Sequence, residues 1–228
     1  PDAGFRCFTV KREDLNNRFD ASYHIPEVKE ILSLIAQNAA EVTTLGDPRV
    51  SKEIVLAGVF KRTYVDKNAG VPFLGGRDIR LLAPKVEKFL SYAVHKDRIH
   101  KELEVFENYV LISDRGTIGK VQIVPKHWSG WAVSQNIIKL IPASSDIAGY
   151  IYAYLQTPYG EAQIKRETYG AVVDMIDDNS ISNVSIPLLK DASVQSRIND
   201  LVLEANALRY KAYLKEQEAL LQMEAVLK

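Results

Sequence analysis

The chain has 228 residues, 46% of them hydrophobic and 25% charged, with 29 basic and 29 acidic side chains and one cysteine. That length suits one large domain or a domain with an appendage, and the composition excludes disordered, collagen-like and disulfide-framework chains. The lone Cys7 reads as a reducing, cytoplasmic setting, and the longest clean apolar run, 54–60, is far too short to cross a bilayer. A chain that starts at Pro1 without methionine reads as processed, or as a piece of something longer.

Residues 5–10 alternate loosely and predict a short strand. Pro26 suits a first helical turn, and Val28, Ile31, Leu32, Leu34 and Ile35 follow at helical spacing until the Gly46-Asp-Pro48 break. From Val50 to Ile141 the pattern is short strands between glycine turns, with candidates at 54–60, 71–74, 109–113, 120–124 and 137–141. Helices are expected at 147–155 and 158–166, and a strand-like piece at 182–187. From about Ser193 to Lys228 there is no glycine or proline, and strong helix formers dominate. Ile198, Leu201, Ala205, Leu208, Ala212, Leu220, Met223 and Leu227 recur there at three- and four-residue steps. Such a rod, on the order of 50 Å long, is longer than a compact domain needs, so its apolar stripe is expected to meet another long helix. The alternative is a helix folded back on its own domain.

The net charge of zero is a cancellation. Residues 61–101 carry ten bases and four acids, whereas 1–60 carry seven and nine, and 171–228 carry six and nine. A basic middle can contact phosphates, where released counterions dominate affinity. It can equally be a solvated surface offset by its acidic flanks.

Sites that look catalytic do not hold together. Asp2, Glu27 and Lys29 have the residue types of a metal-dependent nuclease, but Asp2 is at the chain start and Glu27 opens a helix. The run from Gly116 to Lys120 has the wrong glycine spacing for a phosphate loop, with Val121 where Ser or Thr would hold magnesium. His24, His95, His100 and His127 fall in no metal-ligand spacing, and no serine sits in a nucleophile elbow. We therefore expect no enzyme, no metal and no cofactor.

The informative run is Tyr109-Val-Leu-Ile-Ser-Asp-Arg-Gly-Thr-Ile-Gly-Lys-Val-Gln-Ile-Val-Pro125, two apolar strands around a polar, glycine-hinged loop. Trp131-Ala-Val-Ser-Gln-Asn-Ile-Ile138, Ile151 to Gln156, Tyr169-Gly-Ala171 and Val184-Ser-Ile-Pro-Leu188 follow in order before the long helix. With Val71-Pro-Phe-Leu-Gly-Gly-Arg-Asp-Ile79 and the lead-in from Asn17 to Tyr23, this succession resembles the target-recognition domain of type I restriction-modification specificity subunits. Leu189-Lys-Asp191 stands in place of the family's proline-rich turn.

The resemblance implies an α+β fold, with a mixed, mostly antiparallel recognition domain over 1–190 and peripheral helices, followed by a coiled-coil-type helix over 191–228. It implies a non-catalytic module that reads one half of a split duplex DNA target and docks a methyltransferase subunit through its helix, with an ATP-dependent restriction subunit in the same complex. Specificity subunits of this kind carry two recognition domains and two helices. This chain is thus expected to be half of such a subunit, or a half that dimerises through its helix. Two readings stand beside it: the recognition domain of a fused restriction-methylation enzyme, and a protein-interaction adaptor that binds no DNA. By position, Ser113, Arg115, Thr117 and Lys120 are the first candidates for DNA contact, and a purely structural hairpin turn is the rival reading of that loop. Lys61, Arg62, Lys67, Arg77 and Arg80 follow, then Tyr169. Gln135 and Asn136 have the amide chemistry to read adenine or else lie buried between strands, and Trp128 and Trp131 read as core or rim.

Overall fold

The computed structural model describes residues 7–15, 18–81, 83–170 and 174–227. Two short 3-10 turns, Arg12–Asp14 and Ala21–His24, precede α1 (Pro26–Asn38). Strands β1 (Ala39–Thr44), β2 (Ser51–Leu56), β3 (Tyr64–Val65), β4 (Gly70–Leu74) and β5 (Phe89–Ser91) follow. Next, α2 (Tyr92–Arg98) runs into a π-helical turn at Ile99–Leu103. Then come β6 (Glu104–Val105), β7 (Val110–Ser113), β8 (Val121–Ile123), β9 (Trp131–Val133) and β10 (Ile137–Pro142). The chain finishes with α3 (Ser145–Leu155), α4 (Pro158–Arg166), α5 (Asp178–Ser182), β11 (Ser185–Leu189) and α6 (Ala192–Leu227). The fold is α+β, as expected, with mixed sheets and a long final helix. The strand expected at 5–10 falls partly outside the described residues, and 7–10 form none.

Among the described residues the strands form three sheets. One has the antiparallel order β2-β10-β7-β8, a second the order β3-β5-β4-β9-β6, and β1 pairs antiparallel with β11. In the second sheet β4 and β9 run parallel, Phe73 facing Ala132. Strand β7 explains why its sequence is continuously apolar rather than alternating. Val110 and Ile112 enter one core cluster with Ile138, Leu140 and Ile151, while Leu111 enters another with Trp128, Val133 and Ile137. Successive side chains point to opposite faces, and here both faces are covered. Each fully buried Leu or Ile contributes about 1.5–3 kcal/mol. Lys139 shares the crowded interior of β10, 3% exposed. Its Nζ donates to Glu104 O, 3.2 Å away, and burial holds its pKa below the usual lysine value.

The peripheral helices start where their caps dictate. Ser144 Oγ accepts from Asp146 N at the head of α3, and Thr157 Oγ1 accepts from Gly160 N before Pro158 opens α4. At α6 the cap is Asp191, whose Oδ1 accepts from Ser193 N at 2.9 Å and Val194 N at 3.3 Å.

Helix α6, about 54 Å long at 1.5 Å per residue, is docked along its first half only. Gly149 in α3 lets the two helices approach so closely that a Cβ there would stand 2.3 Å from Asn199 O. Asn199 Oδ1 accepts from Gly149 N and Tyr150 N, and Asn206 Nδ2 donates to Val124 O and Asn108 Oδ1. The helix therefore folds back in part on its own domain, which corrects one assignment of the apolar stripe. Ile198 packs against the chain's own core rather than facing a partner. Leu201, Ala205, Leu208, Ala212, Leu220, Met223 and Leu227 remain exposed.

Candidate nucleic-acid interface

The β7–β8 hairpin holds the 113–120 loop by its own hydrogen bonds. Ser113 Oγ donates to Thr117 O and accepts from Lys120 N at 3.0 Å, and Gly119 N donates to Ser113 O. Gly116 and Gly119 take φ of 74° and 72°, a conformation that glycine adopts without strain. Ser113, 4% exposed, is thus committed to the turn, a correction to its place among the contact candidates. Arg115, Thr117 and Lys120 lie on the exposed side of the loop. The rival structural reading accounts for Ser113, the glycines and Arg115, which pairs with Asp114; Thr117 and Lys120 are left outside.

Beneath the loop sits Asp114, fully buried, with Arg115 Nη2 2.8 Å from its Oδ2. Burial pushes the Asp114 carboxyl above its usual range, and Arg115 opposes that rise. Its backbone ties three segments together: Asp114 N donates to Asn136 O, and Ile176 N donates to Asp114 O. Arg115 also pairs with Met175, which pairs in turn with Tyr169. Tyr169 is 40% exposed, and its hydroxyl donates to Asp177 Oδ2 at 3.2 Å. Asp114 Oδ1 and Asn136 Oδ1 are buried without a hydrogen-bond donor among the described residues.

Asn136 leads from the hairpin to a second group of cations. A cleft of about 410 Å³ is lined by Arg62, Arg77, Lys85, Lys88, Ser134 and Asn136, with Asp78 and Glu87 as its acids. Asp78 Oδ2 is occupied by Gly75 N at 2.7 Å. Among the described residues no carboxylate lies within 4.0 Å of the Arg62, Arg77, Lys85 or Lys88 side-chain nitrogens, in contrast to Arg18, Arg49, Arg98 and Arg115. Arg62 Nε instead donates to the neutral Gln135 Oε1 at 3.2 Å, and its guanidinium lies 5.7 Å from the Phe73 ring centroid. Lys61, Lys67 and Arg80 are exposed and do not line the cleft.

Two neighbouring cation groups result, 62/77/85/88 of the basic segment in the cleft and 115/120, from beyond that segment, on the hairpin. Lys85, Lys88 and Gln135 were not among the leading candidates. The signal for the two lysines was their place in the basic segment, but only the fold separates them from Arg98, which pairs with Glu102 at 2.7 Å. Gln135 and Asn136 are half-buried in the turn between β9 and β10, Trp128 is core and Trp131 is rim. The nuclease triad is not assembled by anything described: Asp2 lies outside the described residues, and Lys29 Nζ is held by Asp14 at 2.9 Å. Among the described residues no helix is long and apolar enough to cross a membrane.

Comparison with known proteins adds the family. Residues 69–202 match the model of the type I restriction modification DNA specificity domain. No curated protein matches the chain. Among solved structures, a chain from the complex-assembly and conformational-transition work on the type I R-M system superposes with TM-score 0.54 and 16% identity, over 90% of this chain and 50% of that one. The HsdS subunit from Thermoanaerobacter tengcongensis gives TM-score 0.52 and 20% identity, over 82% and 46%. The type IIG restriction endonuclease BpuSI gives 0.54 and 15%, over 85% and 30%. At these identities the likeness is one of fold, and the chain spans half or less of each structure's length.

Proposed function

This chain belongs to the type I restriction modification DNA specificity domain family, and from that premise we propose that it reads one half of a split duplex DNA target without chemistry of its own. The observation that carries the proposal is the set of carboxylate-free cations in the cleft, Arg62, Arg77, Lys85 and Lys88, beside Arg115 and Lys120 of the hairpin. Cations without internal partners keep their charge for an external one, and DNA phosphates release counterions when they accept it. Amides at Gln135 and Asn136 supply base-edge chemistry in the same place.

The globular part, 1–190, is the reader and the helix from 191 onward is the spacer. Its exposed residues Leu201, Leu208, Leu220, Met223 and Leu227 are surfaces for a second recognition domain's helix or a second copy, and for a methyltransferase subunit. A restriction subunit completes the assembly, which works in the cytoplasm.

A salt titration of binding to random duplex tests the reading. Affinity falling steeply with salt supports it, whereas no binding at low salt, even with a methyltransferase subunit present, defeats it. Lys85→Glu with Lys120→Glu, two exposed side chains, should weaken binding by about tenfold or more and leave the melting temperature nearly unchanged. Unweakened binding would remove both side chains from the interface.

A further inference from the structure

We propose that Arg62, oriented by Gln135, reads a guanine edge and so fixes one G·C base pair in the target, an assignment that rests on the DNA-reading function above. Arg62 lies on the connection between β2 and β3, and Gln135 lies 73 residues further on in the β9–β10 turn. That turn is a rigid frame: Ser134 N donates to Leu74 O, Ile137 N to Ser134 O, and Asn136 N to Ser134 Oγ. Phe73 beneath the guanidinium is 5% exposed and belongs to the core. The arginine is therefore held at its Nε by a fixed amide, over a fixed ring, before any ligand arrives.

The identity of the acceptor follows from what the pair leaves unused. A guanidinium has five N–H donors and no acceptor; Nε is spent on Gln135 Oε1, which leaves the four Nη hydrogens. Gln135 Oε1 accepts from Arg62 Nε, and among the described residues its amide nitrogen makes no hydrogen bond, so its N–H donors are open as well. The free end of the guanidinium, donors alone, fits an edge with two adjacent acceptors. In the major groove that edge is guanine O6 and N7, because adenine and cytosine each present a donor there and thymine a single acceptor. A phosphate also offers paired oxygens, but its recognition does not call for an arginine fixed by a neutral amide, and the exposed Arg77, Lys85 and Lys88 suffice for that task.

The test is selection of bound sequences from a randomised duplex pool by the 228-residue chain at low salt, repeated with Arg62→Lys and Gln135→Ala. The lysine keeps the charge and removes the fork. Expected is a wild-type preference for G·C at one position that Arg62→Lys relaxes by roughly tenfold or more, with affinity for random duplex within about threefold. Gln135→Ala should relax the same position by less. Thermal melts of both variants should match the wild type. A uniform loss across all sequences would make Arg62 a phosphate contact, and a lowered melting temperature would make it a structural strut; either overturns the inference. So does a wild-type selection with no guanine position. If the wild-type chain binds no duplex at all, the DNA-reading function itself falls.

Discussion

Up to Tyr213, α6 lies against α3 and the turn that follows β8, whereas from Leu214 onward nearly every residue is exposed. The docked half is anchored by amides and small groups: Asn199 and Asn206 are 2% and 1% exposed, and Gly149 opens the close crossing. At its end His127 stacks on Tyr213, with ring centroids 4.0 Å apart. The bare half is as apolar, with Leu220, Leu221, Met223 and Leu227 between 58% and 78% exposed. Hydrophobicity alone does not tell the two halves apart. Docking is decided by shape and hydrogen bonding at the crossing, and the leucines beyond it stay exposed.

The sharpest way to break this contrast is Gly149→Val. Its Cβ would overlap a backbone oxygen, so overpacking should cost about 3 kcal/mol and lower the melting temperature by several degrees; an unchanged melt would mean that the helices part freely. Asn206→Ala removes two hydrogen bonds, although Val124 O keeps Asn108 N as a donor, and a loss of about 1–3 kcal/mol is expected in denaturant titration. The bare half should behave oppositely. Leu220→Glu with Leu227→Glu should shift stability by no more than about 0.5 kcal/mol, while sedimentation shows self-association, or capture of a partner helix, lost.

The smallest effect sharpens the contrast through pH. Hydrogen bonds from Arg18 hold the Asp20 carboxyl down to about 2, below its ordinary 3.8. A depressed carboxyl stabilises above its unfolded value and loses that contribution as pH falls through the folded one. The pair is partly exposed, 24% at Arg18 and 40% at Asp20, and solvent screening leaves less than about 1 kcal/mol at stake. Melting curves of Asp20→Asn and wild type should differ slightly near pH 6 and converge near pH 2. The Asn206→Ala deficit should persist across that range, since an amide does not titrate.

Much of this was readable in the sequence. The limits of α4 were set by Thr157-Pro158, and the limits of α6 by the helix-former run after Asp191. The strand expected at 54–60 moved to Ser51–Leu56 because register with β10, Leu56 opposite Ile138, ends the pairing there. The apolar residues beyond it serve otherwise: Ala57 and Phe60 pack on a separate cluster and Val59 is 82% exposed. Strand β1 left no signal, since α1 runs into it without a breaker and its partner β11 lies far along the chain. At the interface, the sequence located the basic segment and the hairpin. It did not tell neutralised cations from open ones, because Arg98 and Arg62 differ only in what folding brings beside them. Nor did it reveal that Ser113 closes its own turn or that Ile198 belongs to the home core.

The pairing of β1 with β11 has a consequence for synthesis. Ala39 faces Leu189, so one strand of that sheet leaves the ribosome about 150 residues before the other. Contacts of such separation form slowly, and until they close, the Ala39–Thr44 edge is an unpaired template for other chains. Truncation before Ser185 would leave that edge permanently open. The span from β1 to β11 is therefore the shortest piece of this chain able to complete its sheets, and α6 is added to a body already closed.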